Sequence, residues 1–212
     1  MRVTPKAVIF DYGNVLCQSQ PAGDVQALAG ILDLPIPRFS EVYWQFRIPY
    51  DAGALDPDAY WTAVAEAASR RLTPGQVGAL VEIDSRSWSH PAPVMPQWAR
   101  DLRFTGIRTA LLSNMPFPVR DYILACPWLP EFNTRVFSCE FGRAKPAPEI
   151  YKHCLQQLGV AAAEALFLDD RESNIRAAEA LGLPAILFCD PASAIAEILN
   201  RFDLPPPGRL SL

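Results

Sequence analysis

The stretch Ala7-Val8-Ile9-Phe10-Asp11-Tyr12-Gly13-Asn14-Val15-Leu16 decides how the rest of the chain is read. Four apolar residues, two of them β-branched, stop at a carboxylate that is followed by a glycine. A short apolar run ended in this way predicts a buried strand that delivers one acid to its C-terminal edge. In open α/β sheets that edge is where ligands bind. Further apolar runs of the same kind are Thr109 to Leu112, Arg135 to Ser138, Ala165 to Leu168 and Ala185 to Phe188. Helical patterns separate the later ones: Pro148 to Gly159, Asn174 to Leu181 ending at Gly182, and Ala192 to Phe202. Strands alternating with helices predict an α/β fold with a doubly wound parallel sheet.

Residues from about Gln18 to about Pro93 break this rhythm and read as helical. Val25, Leu28, Ala29 and Leu32 recur at helical spacing within Asp24 to Leu32. Phe39, Val42, Tyr43 and Phe46 do the same, as do Tyr60, Trp61, Val64 and Ala68 within Asp58 to Leu72. Pro74 to Ile83 reads as a fourth helix. The expected division is therefore an α/β core at 1–17 and 94–212 with a helical-bundle cap at 18–93. Prolines 91, 93 and 96 mark the expected return to the core. The tail Pro205-Pro206-Pro207-Gly208 is expected to be a frayed end.

The chain has 212 residues, half of them hydrophobic and a fifth charged, which suits one domain carrying a large insertion. A net charge of −4 gives no electrostatic reason to expect nucleic acid or an anionic membrane as partner. The five cysteines are scattered without a CxxC pair, so reduced, mostly buried thiols are expected and zinc is not. No signal-peptide pattern and no membrane-length apolar stretch is legible, which fits a cytoplasmic enzyme. Oligomeric state is not readable.

Four places carry chemistry-bearing residues at expected strand ends or loops. Asp11 is a carboxylate able to attack phosphorus, or an ordinary strand-end aspartate. Asp169 and Asp170 follow the run Leu166-Phe167-Leu168. Two adjacent carboxylates repel each other and a cation relieves that, although one of them also suits a helix cap. Ser113 and Asn114 end another strand and offer a hydroxyl and backbone amides to phosphate oxygens, or form a simple turn. Lys145, in Gly142-Arg143-Ala144-Lys145-Pro146, offers a fixed ammonium.

Taken in order, Phe-Asp-x-Gly-Asn-Val-Leu, Leu-Leu-Ser-Asn, Gly-Arg-x-Lys-Pro-x-Pro-Glu-Ile-Tyr and Phe-Leu-Asp-Asp-Arg-x-x-Asn resemble the haloacid dehalogenase-like hydrolase superfamily. The similarity is greatest to its phosphatases with a small helical cap inserted after the first strand, on a Rossmann-like core. That resemblance implies a phosphomonoester hydrolase working through an aspartyl-phosphate with Mg²⁺. It makes Asp11 nucleophile and metal ligand, and the Gly13 carbonyl a second ligand. It gives Asp170 to the metal with Asp169 helping directly or through water. Ser113 and the Asn114 amide would hold phosphate, and Lys145 would position and balance charge.

One departure matters. Most phosphatases of that family carry a second Asp two residues after the nucleophile, to protonate the leaving group. Here the position is Gly13, so the expected enzyme favours good leaving groups or takes a proton from substrate, water or cap. His90, near the cap's return to the core, is a candidate donor. A metal-independent 2-haloacid dehalogenase and a non-catalytic binding protein on the same fold are the alternatives, and the acidic pair argues against the first. Substrate identity is expected to reside in the cap, with Trp44, Arg47 and Tyr50 as candidate contacts and a small polar ester such as a sugar phosphate as the favoured class.

Overall fold

The computed structural model describes residues 2–208. Five parallel strands form one sheet in the order β3-β2-β1-β4-β5. They are β1 (Ala7–Phe10), β2 (Arg108–Ser113), β3 (Thr134–Phe137), β4 (Ala165–Asp169) and β5 (Ala185–Leu187). The acid-delivering strand is thus the central one. Side chains alternate across a strand, and β1 shows it: Val8 and Phe10 pack into one core layer, Ala7 and Ile9 into the other. The Val8 side is covered by α6 (Met95–Phe104), α7 (Phe117–Leu124) and α11 (Pro191–Arg201). The Ile9 side is covered by α9 (Pro148–Leu158) and α10 (Glu172–Glu179). Helices on both faces explain why every residue of β1 is buried.

Five helices, α1 (Ala22–Ile31), α2 (Ile36–Gln45), α3 (Arg47–Asp51), α4 (Pro57–Ala67) and α5 (Pro74–Ser87), lie between β1 and α6. They enclose their own apolar cluster, with Leu28, Phe39, Val42, Trp61, Val64 and Leu80 buried in it. Tyr50 stacks on Tyr60 in that cluster, ring centroids 4.1 Å apart. The chain enters and leaves the insertion side by side: Gln18 N–H donates to His90 O at 2.8 Å and Ala92 N–H to Leu16 O at 2.9 Å. Short α8 (Ser138–Phe141) follows β3 and faces α3.

Several local expectations change. α3 is additional to the four helices expected, because Pro49 falls in its first turn, where the missing N–H is no loss. α4 stops at Ala67 rather than Leu72, since Ser69 turns left-handed at φ 56° and Arg70 N–H closes back on Ala65 O. Pro96 lies in the first turn of α6, a helix that the sequence reading did not mark. The Pro205–Gly208 tail is docked and not frayed. Trp98 Nε1 donates to Pro205 O at 2.8 Å, and Gly208 N–H donates to Asp101 at 3.2 Å.

The insertion meets the core at Gly53. Its φ is +72°, and a Cβ there would stand 2.7 Å from the Cys139 carbonyl oxygen and 3.1 Å from Phe117. Next to it, the Ser138 hydroxyl donates to the Asp51 carbonyl and accepts from Met115 N–H at 3.0 Å. Gly53→Ala should therefore cost about 2–3 kcal/mol, combining left-handed strain with a backbone clash. Thermal melting should show a drop of roughly 4–12 °C for a chain of this size; an unchanged melting temperature would mean that this approach is not tight.

Candidate active site

Parallel register builds the site. Phe10 pairs with Leu111 on one side and Leu168 on the other, so the next residues along, Asp11, Leu112 and Asp169, emerge side by side at the C-terminal edge. Asp11 N–H continues the ladder to Leu168 O at 2.9 Å. Ser113 and Asp169 are the last residues of β2 and β4. Lys145 reaches the same point from the loop before α9. Its ammonium is 2.7 Å from Asp11 Oδ1 and 2.6 Å from Asp169 Oδ2, and it donates to Leu112 O at 2.9 Å.

Lys145 is 3 % exposed and Asp11 7 %. Burial alone would lower the Lys145 pKa, but Asp11 and Asp169 outweigh it and hold the pKa above its usual value. Burial, followed by the charge of Asp169, pushes Asp11 up to about 7 despite Lys145. Asp11, Asp169 and Asp170 present oxygens that all lie within 4.8 Å of one another. Three carboxylates against one bonded ammonium leave a buried excess of negative charge. A hard divalent cation fits that donor set.

The two adjacent aspartates do different things. Both oxygens of Asp169 are engaged, Oδ2 by Lys145 and Oδ1 by Arg171 N–H at 2.8 Å, while Asn174 donates to both at 2.9 and 3.0 Å. Asp170 is half-buried and accepts on Oδ2 from Asn14 at 2.7 Å. Asp170 therefore has the freer carboxylate for a cation.

Three asparagine side chains have positioning roles that the sequence reading did not assign, Asn114 having been named there only for its backbone amide. The Asn114 side chain clamps the lysine loop, donating to Lys145 O at 2.8 Å and accepting from Lys145 N–H at 2.7 Å. Asn174 orients Asp169, five residues before it. Asn14 adopts φ 60° and bridges Asp170 to Ser19. A turn asparagine that tolerates the left-handed region was a signal for the last; Asn174 stood five residues after Asp169 in the acidic motif, and only the Asn114–Lys145 clamp joins segments distant in sequence.

Asp11, Gly13, Ser113, Asn114, Lys145 and Asp170 line one cleft of about 390 Å³, together with Trp44 and Arg47 from the insertion. Tyr50 does not line it, being 1 % exposed inside the helical cluster. Its aromatic body was worth more as packing than as a contact. Arg47 is in the cleft wall, with two of its three guanidinium nitrogens engaged. Nε binds Asp51 Oδ1 at 2.8 Å, and Nη1 reaches Asp84 Oδ2 at 3.0 Å and the Tyr43 hydroxyl. It is a buried cation whose charge is met by two aspartates. His90 also lies away from the cleft, its Nε2 3.9 Å from Asp24.

At Gly13 a Cβ would meet only Trp88 Cζ3, at 3.5 Å, an ordinary contact, and the backbone is not left-handed. A side chain is therefore admissible. Gly13→Asp should fold normally and raise turnover of esters with poor leaving groups, with the usual ceiling for general acid help of about 10²–10⁴-fold. Steady-state rates on an alkyl phosphate check this; a fall on every substrate would show that the carboxylate disturbs the site.

The family model for haloacid dehalogenase-like hydrolases matches residues 5–182. This chain belongs to that family and is a hydrolase. It is 28% identical to the sesquiterpene phosphatase of Aspergillus oryzae over 199 residues, 93% of this chain and 97% of that protein. It is 25% identical to the D-ribitol-5-phosphate phosphatase of Bacteroides thetaiotaomicron over 199 residues, 84% of this chain and 88% of that one. Among solved structures, a family enzyme from Bacteroides thetaiotaomicron in complex with magnesium and inorganic phosphate superposes with a TM-score of 0.64 at 20% identity, covering 87% of this chain and 93% of that one. The L-2-haloacid dehalogenase of Xanthobacter autotrophicus superposes with a TM-score of 0.67 at 20% identity, covering 95% and 85%. The shared fold therefore does not separate phosphatase from dehalogenase.

Proposed function

We propose that this chain is a Mg²⁺-dependent phosphomonoester hydrolase acting through an aspartyl-phosphate on Asp11, with residues 18–93 as its cap. The observation that carries the reading is the Asp11–Lys145–Asp169 ion-pair chain beside Asp170 at the sheet edge. A dehalogenase needs no metal, and an acidic pair would repel its carboxylate substrate. The names of the two full-length relatives point the same way.

Asp11, Asp170 and the Gly13 carbonyl would hold the ion, with Asp169 orienting Lys145 and contributing directly or through water. When bound, Mg²⁺ supplies positive charge to the phosphoryl oxygens. Asp11 attacks phosphorus and the ester P–O bond breaks; the departing oxygen takes a proton. Ser113 and the Asn114 amide hold the phosphoryl oxygens, and Lys145 offsets the charge on them and on Asp11. Water then attacks the aspartyl-phosphate, releasing inorganic phosphate and restoring Asp11. Gly13 offers no proton, so good leaving groups are favoured.

The test is hydrolysis of p-nitrophenyl phosphate with Mg²⁺ and with EDTA. Turnover that requires Mg²⁺ is expected. Turnover in EDTA, or 2-chloropropionate consumed instead, would overturn the reading.

The two relatives' names imply opposite leaving groups, a terpene and a sugar alcohol. A small polar ester such as a sugar phosphate is the class favoured by sequence; the cleft walls favour the other.

A further inference from the structure

The cleft has two chemically distinct ends. Around Asp11, Ser113, Lys145 and Asp170 it is polar. Away from them its walls are Tyr12, Trp44, Ile48, Trp88, Met115 and Val119. Trp44 is 43 % exposed and Ile48 58 %, so both present apolar surface at the cleft. The polar atoms of the other aromatic walls are already used. The Tyr12 hydroxyl donates to Trp88 O at 2.6 Å, and Trp88 Nε1 donates to the Tyr43 hydroxyl at 3.3 Å. The polar residues that the insertion contributes to the cleft, Arg47 and Asp51, are bound to each other. The Arg171 guanidinium, exposed at the cleft, lies 5.4 Å from the Trp44 ring centroid.

A polyol placed here would set its hydroxyls against apolar walls and leave them unpaired, which costs binding. A hydrocarbon chain or aromatic ring would bury those walls and lose nothing. Resting on the phosphomonoester reading, we propose that the substrate is the phosphate ester of an apolar alcohol, whose organic group lies between Trp44, Ile48 and Trp88 on one side and Met115 and Val119 on the other.

The test uses the wild-type chain with Mg²⁺ and n-alkylphosphonates from ethyl to octyl. Their C–P bond is not hydrolysed, so affinity is read by calorimetry without turnover. Affinity is expected to tighten about two- to fourfold per methylene until the cleft is full, and octylphosphonate should bind at least tenfold more tightly than sorbitol 6-phosphate read as a competitive inhibitor. Trp44→Ala should flatten the chain-length gradient; its half-exposed side chain can be removed without emptying a core. Equal affinity along the series, or tighter binding of the polyol phosphate, would overturn the proposal. The two readings fail separately. No Mg²⁺-dependent hydrolysis of p-nitrophenyl phosphate removes the phosphatase chemistry, whereas a flat gradient in an active phosphatase removes only the apolar substrate class.

Discussion

Asp11→Asn is expected to abolish turnover, by about four orders of magnitude or more, while the protein stays folded. An amide is nearly isosteric with the carboxylate but cannot form the covalent phosphoryl intermediate, and loss of a nucleophile alone removes most of an enzyme's advantage. The fold should survive because the central position of Asp11 comes from its backbone N–H to Leu168 O and from the buried β1 residues before it. The neutral side chain also removes one charge from a crowded acidic cluster, and burial already holds Asp11 at about 7. Stability of the variant without metal should therefore match or exceed that of the wild type at pH 8. Steady-state assay with p-nitrophenyl phosphate and a melting curve check both halves. Retained activity would remove Asp11 from the nucleophile's place.

Lys145→Met should be the most destabilising single change in the site. Methionine nearly matches the volume of the stem but leaves Asp11 and Asp169 without the ammonium that stands 2.7 and 2.6 Å from them. Breaking a buried ion pair from one side costs about 3–5 kcal/mol, or roughly 6–20 °C in melting temperature for a chain of this length. The pH dependence has a definite sign. Asp11 already has a folded pKa raised above its unfolded value, and loss of Lys145 raises it further. A group of that kind stabilises at low pH and loses its contribution as pH rises through the folded value. The deficit in EDTA should therefore be small near pH 5 and grow toward pH 8. Turnover should fall by about 10²–10³-fold, as when a charge-stabilising donor is removed. A uniform deficit across that pH range would show that the lost packing, and not the lost charge, is responsible.

Much of the core was readable because its signals are local. β1 runs over the four residues that its apolar pattern marks, and the other strands shift by one residue at most at either end. The four motifs lie at strand ends or in the loop before α9, because a parallel sheet sends every strand's C-terminus to the same edge. The helical insertion was legible as helical but not in detail. α3 hides behind Pro49, and α4 ends where Ser69 turns left-handed. Arg47 shows the limit clearly. Its neighbours in sequence suggest a free cation near aromatic rings, whereas Asp84, 37 residues later, neutralises it.

Local pattern along the chain was enough for the parallel α/β core, the helical nature of the insertion, and the grouping of Asp11, Ser113, Lys145, Asp169 and Asp170. The first two follow from periodicity and turn chemistry, and the last from the family that the order of the four motifs resembles. Only the tertiary structure decided how those residues divide the work. Asp169 is engaged by Lys145, Asn174 and a backbone amide, so Asp170 is left the freer acid. Tyr50 is packed away, Arg47 is already paired, and the exposed Trp44 shares the cleft with Asp11. The reason is physical: a side chain's hydrogen-bond partners and its solvent access are set by segments far away in sequence, and only packing brings those segments together.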